Sequence, residues 1–376
     1  MKSSIELYLT DRVNNQGEIP FSEFMEISLY HKDYGYYTSK KQIFGKNGDF
    51  ITSPINSTLF GESISNEFIN LKSNINEDLM IMELGGGDAS LAIDLVRNLK
   101  KNKCLPEKYI LLEISTNLIK LQKGNIKDSI PDLYHLFEWK NTLENFSMDG
   151  LIIANEFFDA LPTERFRIMD DNVECLFIGI DGDNYRNIWS SAPFKLIKEL
   201  GLAKNGHKIF FENNYVSEIN LNYMRWMKSL DKTLNSGVIF SIDYGYNSKE
   251  YFLRDRNEGT LVCVHNHQSN FDPMINIGEQ DLSSFVNFSH LSNICSNLNI
   301  DVDGYLAQSN FLINLGILDL FQSKKMSDTE KLDELNRLKN ILLPNTMGEI
   351  FKVLVMKKNI NIPLLSTKEF NHIHKL

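Results

Sequence analysis

Cysteine is scarce in this chain, and so are the patterns that would give it a metal or disulfide role. The four cysteines, Cys104, Cys175, Cys263 and Cys295, are far apart and form no C-x-x-C pair. A zinc site or disulfide framework is therefore not expected, and a reducing compartment is. Basic residues are also in deficit, 39 against 49 acidic ones, for a net charge of −10. That argues against a general nucleic-acid binder, whose affinity comes from neutralising phosphates. No apolar run is long enough to span a membrane, so membrane insertion is not expected. Met1–Pro20 lacks the apolar stretch of a signal peptide and carries Glu6, Asp11, Arg12 and Glu18 where a transit peptide is Arg-rich and acid-free. On these grounds the expected location is cytoplasmic.

What is present is a globular composition, 42% hydrophobic, in 376 residues. That length suits one large domain with an insertion, or two domains. Up to residue 75 the spacing is helical at Ile5–Val13, Phe21–Leu29 and Leu59–Leu71, with an aromatic loop, Tyr34-Gly35-Tyr36-Tyr37, between the last two. At Leu79 the period changes. Leu79–Leu84 is a short apolar run ending in glycines, the pattern of a strand buried on both faces of a parallel sheet. A helix over Ser90–Leu99, a strand over Tyr109–Ile114, a helix over 116–128, a weak strand over 134–139 and a strong one over Gly150–Ala154 follow. This alternation predicts a doubly wound α/β sheet.

Short alternating stretches at Arg165–Met169 and Val173–Ile180 interrupt it as a β-meander insertion. Then come a helix over 215–234, a strand over Gly237–Ile242, a strand-like Gly259–His267 and a helix over Asp281–Leu298. A strand over Val302–Gln308, a helix over Phe311–Phe321 and a strand over Ile350–Lys357 close the pattern. The implied division is an N-terminal helical segment (1–75), a Rossmann-like domain in two pieces (76–165 and 236–358) and an inserted substrate-side subdomain (166–235).

The candidate cofactor site is Glu83-Leu84-Gly85-Gly86-Gly87-Asp88-Ala89-Ser90. Glycines between a strand and a helix let the backbone turn tightly and approach a ligand at a helix N-terminus. A dinucleotide loop, G-x-G-x-x-G, would need glycine where Ser90 stands. Pyrophosphate would also be repelled by Glu83 and Asp88. S-adenosylmethionine (SAM) brings an ammonium and a sulfonium, for which those carboxylates are favourable. Glu113, at the end of the second strand, is placed to accept ribose hydroxyls.

The second candidate site is Asn155-Glu156-Phe157-Phe158-Asp159, directly after the strong strand. Ligands in such sheets sit at the carboxyl ends of strands, so this loop faces the same crevice. Carboxylates beside aromatic rings suit a planar cation such as an arginine side chain. For Asp159, capping the following helix is an almost equal alternative. Asp243 ends the fifth core strand and points into the crevice by position. His265 and His267 share one face of a strand but lack a third ligand, so no metal is expected.

These residues resemble the MidA-like family of SAM-dependent methyltransferases, which includes a mitochondrial complex I assembly-factor arginine methyltransferase. The matching stretches are LYHKDYGYYT (29–38), GDFITSP (48–54) with LFG (59–61), MELGGG (82–87), IIANEFFDALP (152–162), IDYG (242–245) and GTL (259–261). Asp272-Pro273, Gly278-Glu279, Asp281-Leu282, Met347-Gly348-Glu349 and Phe351–Leu354 complete them. The resemblance implies a seven-strand methyltransferase sheet whose last strand is antiparallel, and arginine methylation of a protein, with a respiratory-complex subunit as one possible partner. It also places Asp49, Thr52, Ser53 and Pro54 over the cofactor as a lid. Glu156 is the first catalytic candidate, with Asp159 and Asp243 as partners. The family's third loop glycine is Ala89 here, which can start a helix if its φ is negative. Two other readings compete: a SAM-binding assembly factor with little catalysis, hinted at by Ala89, and a nicotinamide oxidoreductase, disfavoured by the loop carboxylates.

Overall fold

The structure is a computed structural model that describes residues 2–39, 57–75 and 78–376. The chain begins with α1 (Ser4–Gln16), opened by a Ser3/Glu6 capping box. A two-residue strand β1 (Ile19–Pro20), α2 (Phe21–Tyr30) and α3 (Thr58–Ile75) follow. Next come β2 (Met80–Leu84), α4 (Ser90–Lys101), β3 (Tyr109–Leu112), α5 (Thr116–Ser129), β4 (Phe137–Lys140) and β5 (Met148–Asn155). The segment between includes β6 (Glu164–Met169), β7 (Asn172–Asp181), β8 (Asn184–Ser191), α6 (Phe194–Ala203), β9 (Val216–Ile219) and α7 (Tyr223–Thr233). The chain then returns with the long β10 (Leu234–Tyr246), β11 (Val262–His265), β12 (Gln268–Asn270), β13 (Asp281–Ser283) and β14 (Val286–Asn287). It continues with α8 (Phe288–Cys295), β15 (Asp301–Ala307), α9 (Gln308–Asn314), α10 (Ile317–Ser323), α11 (Asp328–Leu342) and β16 (Phe351–Lys358).

The main sheet runs β15-β16-β10-β5-β2-β3-β4. The contacts from β10 through β5, β2 and β3 to β4 are parallel. β16 lies antiparallel between β10 and β15. Both faces are covered, and period-two alternation divides each strand between them. Ile81, Leu151 and Ile153 pack with α3 and α4 on one side, whereas Met82, Ile152 and Ala154 pack with α7 and α8 on the other. This is the α/β sheet that the alternation predicted, with the antiparallel last strand that the resemblance implied.

A second, antiparallel sheet runs β1-β7-β6-β9, with β8 paired to β7. Ile19 pairs with Ile178, so the N-terminal segment contributes an edge to it. A three-stranded sheet, β12-β11-β13, lends Val262, Val264, Asp281 and Ser283 to the wall of the crevice.

Four local expectations need correction. Residues 281–298 are not one helix: Asp281–Ser283 pairs with Val262–Val264, and α8 starts only at Phe288, capped by Asn287, whose side chain accepts the His290 N–H. The expected helix at 215–234 is β9 followed by α7. The helix at 311–321 breaks at Gly316, which has a left-handed φ of 80°. The weak strand at 134–139 is a 3-10 turn followed by β4. Among the described residues, no helix is long and apolar enough to cross a membrane.

Candidate active site

The glycine loop leaves β2 through alternating left-handed residues: Gly85 at φ +68°, Gly87 at +50° and Ala89 at +71°. Gly86 is tightly set, since a Cβ there would lie 2.5 Å from the Leu111 side chain. Asp88 Oδ1 accepts the Ser90 N–H at 3.0 Å and so satisfies one orphan donor of α4. Ala89 departs from the expected negative φ. Left-handed backbone costs an alanine about 1–2 kcal/mol, and its methyl group, buried in the main core cluster, offsets part of that cost. The loop thus reaches its glycine-like shape without the third glycine.

Glu83 is buried, and the Tyr109 hydroxyl donates to its Oε2 at 2.7 Å. Burial pushes its carboxyl up to about 7, against the pull of the Tyr109 bond and with help from nearby Asp88. Glu113 sits just past β3. Its Oε1 accepts the Ser115 N–H at 2.8 Å and its Oε2 the Gln122 side-chain N–H at 3.3 Å. Burial raises it too, while these bonds oppose the rise.

Gln122 has no role in the sequence reading, yet it holds this corner together. It donates to the Gly87 carbonyl at 3.0 Å and accepts from the Trp139 indole N–H at 2.9 Å. Helical spacing on α5 marked it only as one more polar position.

The loop after β5 is built differently. Glu156 has a left-handed φ of 50°, and its N–H donates to the Ile242 carbonyl at 2.8 Å. A non-glycine residue held there by its surroundings is a form of strain that clusters at functional sites. Among the described residues, Asn155 Oδ1, Asp159 Oδ1 and Asp243 Oδ1 are buried without a hydrogen-bond partner. Asp159 and Asp243 are hydrogen-bonded to each other, which requires a proton between them. Burial pushes Asp159 up to about 6, and Asp243 is driven well above the usual carboxylate range by burial and then by the charge of Asp159. Asp159 does not cap a helix.

One cleft of about 1390 Å³ joins both loops. Its wall contains Glu83, Gly85, Gly86, Gly87, Asp88, Glu113, Asn155, Glu156 and Asp159. Asp243 does not point into it. Its fully buried carboxylate instead accepts the Phe158 N–H at 3.4 Å, behind the wall. Asp49, Thr52, Ser53 and Pro54 lie outside the described residues. Arg225 and Lys232 are the cations of the described lining, against carboxylates at both loops and at Glu26, Glu144 and Asp281. That charge, the partnerless Asn155 oxygen and the close backbone of the glycine loop fit a cationic nucleoside ligand such as SAM.

The comparisons agree with this geometry. A family described as "Putative S-adenosyl-L-methionine-dependent methyltransferase" matches residues 59–306, well over half of the chain. The chain belongs to this SAM-dependent methyltransferase family. A Burkholderia thailandensis protein solved with S-adenosyl-homocysteine bound superposes with a TM-score of 0.92 at 28% identity, over 99% of this chain and 96% of its own. A native crystal structure from the same organism gives 0.89 at 27%, with the same coverage. The mitochondrial protein arginine methyltransferase NDUFAF7 of Danio rerio is 26% identical over 94% of this chain and 86% of its own. The homologue from Caenorhabditis elegans is 26% identical over 83% of this chain and 76% of its own.

The cofactor of this methyltransferase is SAM, as the loop carboxylates implied. The cytoplasmic expectation does not stand, because these curated relatives are named as mitochondrial proteins.

Several lining residues of the methyltransferase cleft escaped the sequence reading. Ile114, next to Glu113, is an exposed apolar side chain facing the cleft, and Tyr30, Tyr37, Tyr244, Phe285 and Asp281 also line it. Tyr37 lay in a motif already noted, but nothing in its spacing gave it a partner. His265 and His267 do not share a strand face: Asn266-His267, both with positive φ, form the tight turn between β11 and β12. No group of three or more potential metal ligands occurs among the described residues.

Proposed function

We propose that this methyltransferase modifies an arginine side chain of a protein. The observation that carries the reading is the strained, carboxylate-rich loop after β5, flanked by aromatic rings and opening into the same cleft as the glycine loop. The relatives named protein arginine methyltransferases support it.

Bound SAM supplies an electrophilic methyl group on a positively charged sulfur. On the protein side, Gly85–Gly87 let the backbone approach the cofactor, Glu113 accepts its ribose hydroxyls, and Glu83, Asp88 and Asn155 face its polar end.

Guanidinium is protonated in water and is a poor nucleophile. Glu156 localises that positive charge, leaves one nitrogen available, and takes the proton released as the nitrogen becomes methylated. Asp159 helps to hold the guanidinium. Asp243 acts through Asp159 by sharing its proton and by fixing the loop at Phe158. The division into an N-terminal segment (1–75), a two-piece cofactor domain (76–165 and 236–358) and a substrate-side insertion (166–235) goes with this reading. A respiratory-complex subunit is the candidate partner.

The test is methyl transfer from labelled SAM to a lysate lacking this gene, followed by identification of the labelled residue. Label on arginine is expected. Label confined to lysine or to small molecules overturns the reading.

A further inference from the structure

We infer that Asp281, oriented by Tyr37, is the second carboxylate of the guanidinium site; this rests on the arginine reading above. With Asp243 withdrawn behind the wall, the cleft needs another group beside Glu156 to grip a planar cation. Asp281 lines the same cleft, is 3% exposed, and stands on β13, where its backbone pairs with Val264 of β11.

The Tyr37 hydroxyl donates to Asp281 Oδ1 at 2.7 Å and so sets the rotation of the carboxylate. Tyr37 is itself stacked on Tyr30, with ring centroids 5.5 Å apart and planes 19° apart. Tyr30 donates to the Ala160 carbonyl at 2.9 Å, beside Asp159. Asp281 is therefore tied through two stacked phenols to the loop that carries Glu156 and Asp159.

A second aromatic pair, Tyr244 and Phe285, stacks at 5.8 Å on the same cleft. Burial drives the Tyr244 phenol far up, and the charges of Glu156, Asp159, Asp243 and Asp281 follow as further causes, so these carboxylates converge on one small region. A guanidinium has five N–H donors in a plane, more than one carboxylate can accept. Glu156 and Asp281, brought from two separate elements, divide those donors, while the ring pairs offer faces on which the plane can stack. A lysine ammonium has neither the plane nor the fork.

The probe is N-acetyl-arginine methylamide, titrated by NMR into full-length protein loaded with S-adenosyl-homocysteine, with N-acetyl-lysine methylamide as control. Asp281→Asn should weaken the arginine probe about 10- to 100-fold, the range expected when a hydrogen bond to a charged group is lost. Cofactor affinity should change by less than about twofold. Tyr37→Phe should raise KM for an arginine-containing substrate several-fold with a smaller change in kcat, and Asp281→Glu should restore part of the binding. If Asp281→Asn does not fold, the Tyr37→Phe and Asp281→Glu variants decide.

Unchanged probe affinity in Asp281→Asn, with binding lost in Glu156→Gln, overturns the role of Asp281 and leaves the arginine reading intact. With Asp281→Asn unfolded, unaltered KM in Tyr37→Phe and no loss of probe binding in Asp281→Glu overturn it equally. A wild-type protein that binds the lysine probe as well as the arginine probe, or neither, overturns both.

Discussion

The two ends of the cleft are built on opposite plans. At the glycine-loop end the polar groups are engaged: Asp88 caps α4, Glu113 accepts from Ser115 and Gln122, and Glu83 accepts from Tyr109. At the β5 end, Glu156 is held at positive φ, and Asn155, Asp159 and Asp243 each keep a buried oxygen without a partner. A satisfied network is rigid and suits a ligand that is the same in every turnover. Partnerless oxygens and crowded carboxylates are costly in the empty protein, and that cost is relieved when a cation arrives. The difference accords with the proposed division, in which the cofactor is held at one end and the guanidinium at the other.

The sharpest way to break this comparison is Glu156→Gln, which keeps the shape of the side chain and removes its charge. Methyl transfer should fall by at least about two orders of magnitude while SAM binding persists. Turnover per folded molecule and melting temperature, measured on one preparation, separate this from simple destabilisation. Normal turnover would dissolve the distinction between the two ends.

Glu113→Ala probes the other pole. It should weaken SAM by about 1–3 kcal/mol, the cost of losing hydrogen bonds to a charged acceptor. Titration calorimetry that finds unchanged affinity would make Glu113 a structural carboxylate only.

The shared proton between Asp159 and Asp243 makes a pH-dependent prediction. Asp243 titrates well above 3.8 in the folded protein because of burial and its acidic neighbour. Its contribution to stability is therefore fully present below the unfolded value and is lost as pH rises through the folded one. Asp243→Asn supplies an N–H in place of that proton and does not titrate. The variant should gain stability over wild type as pH rises, on the order of 1–2 kcal/mol by pH 8. Thermal melts at pH 5 and pH 8 measure it; an equal difference at both values would contradict the shared proton. Turnover in this variant should fall less than in Glu156→Gln, since Asp243 acts only through Asp159.

The smallest effect is expected at Ala89. Ala89→Gly relieves the left-handed backbone but loses a buried methyl group and makes the unfolded chain freer. These terms cancel to within about 1 kcal/mol. Chemical denaturation checks the balance, and SAM affinity should be unaffected. A large gain in SAM binding would mean that the alanine distorts the loop after all.

What could be read from the sequence was what neighbouring residues decide among themselves. Leu79–Leu84 and Gly150–Ala154 showed as buried strands because an unbroken apolar run has few other places to go. Glycines 85–87, Glu113 and Glu156 could be singled out as cleft residues because each lies within a few residues of a strand end, where ligands of such sheets bind. Even the helix Asp328–Leu342, which the periodicity passed over, carries a readable capping box at Ser327 and Glu330.

Only the tertiary structure could settle the rest, because it depends on chain segments far apart in sequence. Asp281 reads as the start of a helix until β11 pairs with it and carries it to the cleft. Asp243 was expected to end its strand, yet β10 runs on to Tyr246, and pairing with β16 together with the fold of the Phe157-Phe158 turn buries it. Gln122 is one polar residue on a helix until packing sets it between Gly87, Glu113 and Trp139. Local spacing determines which face a side chain takes along its own element. Which distant element meets that face is decided by packing, and that is where the carboxylates of this methyltransferase were sorted into those that line the cleft and the one that stands behind it.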